Sequence, residues 1–178
     1  MSRDPSQTLE LPRHYLTIGQ GVVCEAPTTV LTVLGSCVSV TMYSKQRKIG
    51  GVFHALMPRW ADHENGTQFN VYKYVDSSVD SLLKEMNRRG IPNNSLECKV
   101  FGGASALFPH EMSVGDRNVR AALDALFERK VRIRAMDVGG EQGRKLLFLT
   151  HTGEVFIKRI ASHSRENLSA LGNEGGEP

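Results

Sequence analysis

The stretch Leu34–Pro58, L-G-S-C-V-S-V-T-M-Y-S-K-Q-R-K-I-G-G-V-F-H-A-L-M-P, carries a thiol and an imidazole on two apolar segments separated by the polar turn Ser44–Lys48. If that turn is centred near Lys45–Gln46, antiparallel pairing sets Cys37 opposite His54 or Ala55. Directly opposed residues share a face of a sheet, with Cβ atoms roughly 5 Å apart, whereas a slip of one residue sends one side chain to the other face. A thiol at its ordinary pKa is mostly protonated at neutral pH, and an adjacent imidazole can take the proton and stabilise the thiolate nucleophile. Gly35-Ser36, just before Cys37, supplies a tight turn whose backbone N–H groups could converge on a developing oxyanion. Thr32, on the preceding strand, is a candidate third member that would orient the imidazole. Gly50-Gly51 lacks side chains and would admit a substrate backbone or a loop at close range.

Each of these residues also has an inert reading. Cysteine is among the most buried residue types, and one at a strand start is more commonly packing. A histidine on an apolar strand is more commonly a satisfied core residue, and Thr32 is ordinary in any strand. Only the cross-strand meeting of Cys37 and His54 moves the balance toward chemistry. Cys24 and Cys98 have no histidine neighbour in prospect and are assigned to packing. His14, His63, His110, His151 and His163 fall in loops or termini without metal-ligand spacing, so neither a metal nor a cofactor is expected. Gly102-Gly103 and Gly139-Gly140 follow strands but lack GxxxxGK[ST] or GxGxxG, which favours turn geometry over a phosphate cradle. Asn118 with Arg117, and Arg144, are expected to make structural hydrogen bonds, with rim contacts to substrate the minority reading.

The elements that would position the hairpin follow from periodicity. Val71, Tyr74, Val75, Val79, Leu82, Leu83 and Met86 recur at three- and four-residue steps, which predicts a helix over Val71–Arg89, stopped by Gly90 and Pro92. A second helix is expected over Gly115–Arg129, with Val119, Ala122, Leu123, Leu126 and Phe127 inward and a capping box from Ser113 and Asp116. Short β-branched runs predict strands at Tyr15–Val23, Thr29–Val33, Val38–Tyr43, Ile49–Leu56, Leu96–Phe101, Val131–Val138, Lys145–Thr150 and Val155–Ile160. The last two should form a hairpin turning on His151-Thr152-Gly153-Glu154. Many strands with two amphipathic helices indicate an α+β layered sandwich, mostly antiparallel, and not a doubly wound parallel sheet.

With 178 residues, 40% hydrophobic and 23% charged, the chain has globular composition and room for one continuous core. Residues 1–13 read as a flexible arm, 14–161 as a single domain, and 162–178 as a disordered tail. The net charge of +3 is mild and the cations are scattered among acids, so no nucleic-acid partner is expected. No secretory h-region opens the sequence and no run approaches the roughly 18 apolar residues of a membrane span, so a cytoplasmic location without membrane insertion is expected. Three cysteines without CxxC spacing fit reduced thiols.

Several of these segments together resemble the chemoreceptor glutamine deamidase family, CheD. They are T-V-L-G-S-C-V (Thr32–Val38), G-G-V-F-H-A-L-M-P (Gly50–Pro58), Lys73-Tyr74-Val75-Asp76, Lys99-Val100-Phe101-Gly102-Gly103-Ala104, Val114-Gly115-Asp116-Arg117-Asn118, and Asp137-Val138-Gly139-Gly140 with Gly143-Arg144-Lys145. Their order and spacing span roughly Ile18 to Ile160. The segment Phe101–Phe108 is about one residue longer than the usual glycine-alanine loop, and Val114 and Asp116 stand where Ile and Glu are commoner. The resemblance implies a Cys–His–Thr set, here Cys37, His54 and Thr32, and an α/β/β sandwich. It implies conversion of chemoreceptor glutamines to glutamates in chemotactic adaptation; together with the opposition of thiol and imidazole, this leads to an expectation of acyl transfer through a thioester. It also implies a CheC-type phosphatase as partner beside the chemoreceptor cytoplasmic domain. A competing class is an adaptor module for that phosphatase with little or no catalysis. A papain-like protease or transglutaminase ranks low, because the Cys-to-His spacing is far shorter than the papain-type separation.

Overall fold

The structure is a computed structural model and describes residues 11–63, 70–105 and 113–160. Nine strands and two main helices run in the order β1 (Arg13–Tyr15), β2 (Gln20–Cys24), β3 (Thr29–Leu34), β4 (Val38–Ser44), β5 (Ile49–His54), α1 (Val75–Arg88), β6 (Leu96–Gly102), α2 (Val114–Glu128), β7 (Ile133–Val138), β8 (Gly143–Leu149) and β9 (Val155–Ile160). They build two sheets, one ordered β2-β5-β4-β6-β7 and the other β1-β3-β8-β9. Both helices pack on the five-stranded sheet, so the layers are helices, five strands, four strands. This is the expected α/β/β sandwich. Pairing is antiparallel except for β1 with β3 and β6 with β7.

Strand alternation divides the five-stranded sheet into two buried faces. Val38, Val40 and Met42 of β4 and Phe53 of β5 join Val75, Val79, Leu82 and Met86 of α1 and Ala122, Ala125 and Leu126 of α2 in one cluster. Cys37, Val52 and Phe101 face the other way, against Val30, Leu34, Leu146 and Phe148 of the second sheet. Fully burying one such aliphatic or aromatic side chain contributes about 1.5–3 kcal/mol. Burial on both faces explains why β4 and β5 are closed to solvent at every position.

Three expectations are corrected. The segment Tyr15–Val23 is not one strand: it breaks at Gly19, which adopts φ +78°, and its halves belong to different sheets. Glycine takes that left-handed conformation without a Cβ penalty. The first helix begins at Val75, not Val71. Tyr74 is extended (φ −109°, ψ 140°) because the chain there pairs with residues 56–58: Leu56 N–H donates to Lys73 O at 2.9 Å and Val75 N–H to Met57 O at 2.8 Å. Tertiary pairing overrides an unbroken helical period. In α2 the buried stripe is rotated, with Ala121 and Ala125 inside and Phe127 84% exposed. The Ser113 cap holds, its hydroxyl oxygen accepting from Asp116 N–H at 3.0 Å. The expected arm and tail lie outside the described residues, apart from 11–13, where Arg13 opens β1.

Candidate active site

The hairpin register differs from the expected one. β4 ends at Ser44 and β5 begins at Ile49, with Ser44 facing Ile49 and Thr41 facing Val52, and a bridge pairs Val38 with Ala55. Continued, this alignment sets Cys37 opposite Leu56, and Ser39 opposite His54. The reason is the turn, which uses all of Lys45–Lys48, with Lys48 at φ 54° and Arg47 N–H donating to Ser44 Oγ at 3.3 Å. Four-residue hairpin loops of this kind are common. The displacement is two positions from the Cys37–His54 pairing, so face is preserved. Cys37 lies two residues from Ser39 along one face, diagonal to His54, an offset of about 7–8 Å between Cα atoms.

That face looks onto the four-stranded sheet, and Thr32 comes from there. The Thr32 hydroxyl donates to Leu16 O at 2.7 Å and lies 2.8 Å from His54 Nδ1. A hydroxyl has a single proton, and a carbonyl oxygen can only accept. The proton therefore points to Leu16, and Nδ1–H of His54 donates to Thr32 Oγ1. This fixes the tautomer and leaves Nε2 as a lone-pair acceptor. Nε2 is buried and has no hydrogen-bond partner among the described residues, so the Cys37 thiol does not donate to it in this state. Thiol–imidazole bonds are often loose without substrate. The histidine backbone is also held, with Gly19 N–H donating to His54 O at 2.8 Å.

Thr32, His54 and Cys37 are 5%, 4% and 6% exposed. Burial sets their protonation. It pushes the His54 imidazole down to about 4 and pushes the Cys37 thiol up, with the residue's own backbone N–H the opposing influence. At neutral pH the site thus holds a neutral imidazole and a neutral thiol, because low-dielectric surroundings disfavour both charged forms.

The chain before Cys37 is held at three successive carbonyls. Gly35 O accepts from Ala104 N–H at 2.9 Å and Cys37 O from Gly103 N–H at 2.8 Å. Ser36 O accepts from the Asn118 side-chain amide at 2.9 Å, whose other hydrogen goes to Leu56 O at 3.0 Å. One helix side chain thereby ties the residue before Cys37 to the strand extension beyond His54. Asn118 is thus a structural hydrogen bonder, as expected, and its partners lie 82 and 62 residues away in sequence. A Cβ on Gly102 would come within 2.2 Å of Cys37 O. At Gly35, by contrast, a Cβ would meet nothing within 4 Å, so space is open beside the residue two before Cys37.

Other expectations resolve as follows. Gly50-Gly51 admits the chain's own packing: a Cβ on Gly50 would strike Thr150 O at 2.5 Å, and Gly51 lies under Leu82 and Met86 of α1. Gly102, Gly103, Gly139 and Gly140 all have positive φ, as turn glycines do. Buried Arg144 donates to Asp137 at 2.9 Å and to Gly139 O at 2.6 Å, pinning the loop whose Gly140 O accepts from Ser105 N–H at 2.8 Å. Cys98 is fully buried in the helix-side core, and Cys24 is half-buried. The lengthened loop after Phe101 falls partly at 106–112, outside the described residues, as do His110 and His163.

An α/β/β sandwich with a thiol, an imidazole and a hydroxyl gathered between its sheets is the class that fold and geometry define. The chain belongs to the CheD family. The family described as CheD chemotactic sensory transduction matches residues 56–159, a span that begins past all three gathered residues and is therefore independent of them. Relatives match over greater lengths. A probable chemoreceptor glutamine deamidase CheD of Maridesulfovibrio salexigens is 41% identical over 89% of this chain and 98% of its own. A probable chemoreceptor glutamine deamidase CheD 2 of Geobacter sulfurreducens is 42% identical over 85% of this chain and 92% of its own. One from Nitratidesulfovibrio vulgaris is 38% identical over 94% and 88%. Among the described residues, no helix is long and apolar enough to cross a membrane.

Proposed function

We propose that this chain is a protein-glutamine deamidase that converts glutamine side chains of chemoreceptors to glutamate, with Cys37 as nucleophile, His54 as base and Thr32 as the residue that orients it. The observation that carries the reading is the chain Leu16 O, Thr32 hydroxyl, His54 Nδ1–H, which presents an Nε2 without a partner among the described residues on the face that Cys37 occupies. The relatives' names support the substrate.

In the first half-reaction the sulfur attacks the carboxamide carbon as the thiol proton passes to Nε2. The oxyanion that forms lies beside the backbone N–H of Cys37, with Gly35 and Ser36 shaping the loop that presents it. The C–N bond then breaks, its electron pair stays on nitrogen, and Nε2–H supplies the proton that completes ammonia. A thioester remains on Cys37. In the second half, water adds to the thioester carbon and gives a proton to Nε2; the C–S bond breaks, and sulfur recovers the proton. Starting from neutral groups costs nothing in charge burial, and the ion pair exists only while substrate covers the site. The reaction would proceed in the cytoplasm on the receptor's cytoplasmic domain, as a step of chemotactic adaptation. The CheC-type phosphatase is the partner that the family resemblance implies.

The test is mass spectrometry of a receptor cytoplasmic domain incubated with wild-type and Cys37→Ala protein. Conversion of glutamine to glutamate should vanish in the variant while its thermal unfolding stays cooperative. Undiminished conversion refutes the assignment.

A further inference from the structure

On the sheet face that Cys37 occupies, Nε2 of His54 and Oγ of Ser39 are buried and have no hydrogen-bond partner among the described residues. Ser39 is 0% exposed, and a buried hydroxyl left unpaired is costly enough to need a reason. Its placement supplies one. The β4–β5 ladder runs from Ser44 to Thr41, lapses, and resumes at Val38 and Ala55 in the same alignment, so Ser39 faces His54 within the lapse. Val38 and Ala55 exchange both backbone hydrogen bonds, at 3.0 and 2.9 Å. The next position along is then of the non-hydrogen-bonded type, where opposed side chains approach most closely. On its other side Ser39 pairs with Phe101, which shares the inter-sheet core with Cys37. Cys37, Ser39 and His54 therefore line one face.

We propose that Ser39 is a further catalytic residue, whose hydroxyl forms with His54 Nε2 the subsite that holds the carboxamide nitrogen before it leaves and the water that replaces it. The proposal rests on the acyl transfer described above. One base serves both half-reactions, so ammonia departs from and water arrives at the same place beside Nε2. The carboxamide nitrogen carries two hydrogens and, on leaving, receives a third from Nε2–H. One of the original two needs an acceptor, and Ser39 Oγ has lone pairs to give. When water takes that place, one of its protons passes to Nε2 as the C–O bond forms, and the other is held by Ser39 Oγ. The C–S electron pair goes to sulfur, which takes the proton back from Nε2. An alanine at position 39 would fill the sheet as well but would offer the nitrogen and the water no acceptor.

The experiment compares full-length wild-type, Ser39→Ala and Cys37→Ala proteins on a chemoreceptor cytoplasmic domain, following ammonia release and the mass of each glutamine-containing peptide. Ser39→Ala should lower kcat by about tenfold or more, the effect of one lost hydrogen bond to the reacting group, with KM little changed. Its thermal midpoint should be equal to or above wild type, because the hydroxyl it removes has no partner among the described residues. That opposition separates a catalytic from a structural role. A wild-type kcat in Ser39→Ala, or a loss matched by a lower midpoint, overturns the proposal. If Cys37→Ala is inactive while Ser39→Ala matches wild type, only the Ser39 subsite fails; if Cys37→Ala retains conversion, the acyl-transfer reading fails with it.

Discussion

Replacing Thr32 by valine keeps the β-branched shape in β3 and removes one hydroxyl that serves two buried partners. In the native site that hydroxyl donates to Leu16 O at 2.7 Å and accepts from His54 Nδ1–H at 2.8 Å. Valine leaves a carbonyl and a ring N–H unpaired, each costing about 1–3 kcal/mol where water cannot replace the bond. The protein can recover part of this by letting the ring rotate or change tautomer, and either response withdraws the Nε2 lone pair from the Cys37 side. Holding the native tautomer then costs about 1–3 kcal/mol, which corresponds to a kcat lower by roughly 5- to 150-fold. KM should change little, since Thr32 sits on the Nδ1 side of the imidazole, away from Nε2. Thr32→Ser restores the hydroxyl and should recover most of the activity. The assay is steady-state ammonia release from a receptor cytoplasmic domain, with unfolding midpoints measured in parallel. Wild-type kcat in Thr32→Val, or a serine variant as impaired as the valine one, would refute the orienting role.

Asn118→Ala removes the donor to Ser36 O and Leu56 O. It should destabilise the protein by about 2–4 kcal/mol in urea unfolding and reduce kcat even where the protein is fully folded. Gly102→Ala places a Cβ against Cys37 O at a backbone φ of +105°. It should cost at least about 1–2 kcal/mol and displace Cys37, read as loss of both midpoint and activity. The His54 imidazole, lowered by burial from 6.5 to about 4, binds a proton more readily in the unfolded chain. Stability is therefore full above the unfolded pKa and falls as pH drops from about 6.5 toward 4. The loss is on the order of 3 kcal/mol, and a His54→Gln variant should lack this component when unfolding is measured across that window.

Much of the site was legible in sequence because hairpin information is local. Two β-branched runs about a polar turn place Cys37 and His54 on adjacent strands. The alternation of side chains then allows only registers in which they share a face or are separated by the sheet. The exact register was not legible, since it depends on Lys48 taking a left-handed conformation that lengthens the turn. Helix α2 was legible in extent but not in rotation. A pattern of alanines and larger residues fits two neighbouring phases, and contact with β4 and β6 selects the one that exposes Phe127. The start of α1 was misjudged because Tyr74 is drawn into pairing with Met57, a contact between segments far apart in sequence.

The sequence by itself determined a layered α+β class, the thiol and the imidazole that could react, and the resemblance that implied the α/β/β layering and linked the pair to glutamine chemistry. Tertiary structure decided how those groups are held. Thr32 reaches His54 only because one sheet stacks on the other, Asn118 reaches Ser36 and Leu56 only because α2 packs across β4, and Ser39 faces His54 only through the observed register. Strand alternation is written in neighbouring residues, whereas stacking between sheets depends on how distant segments fill one core.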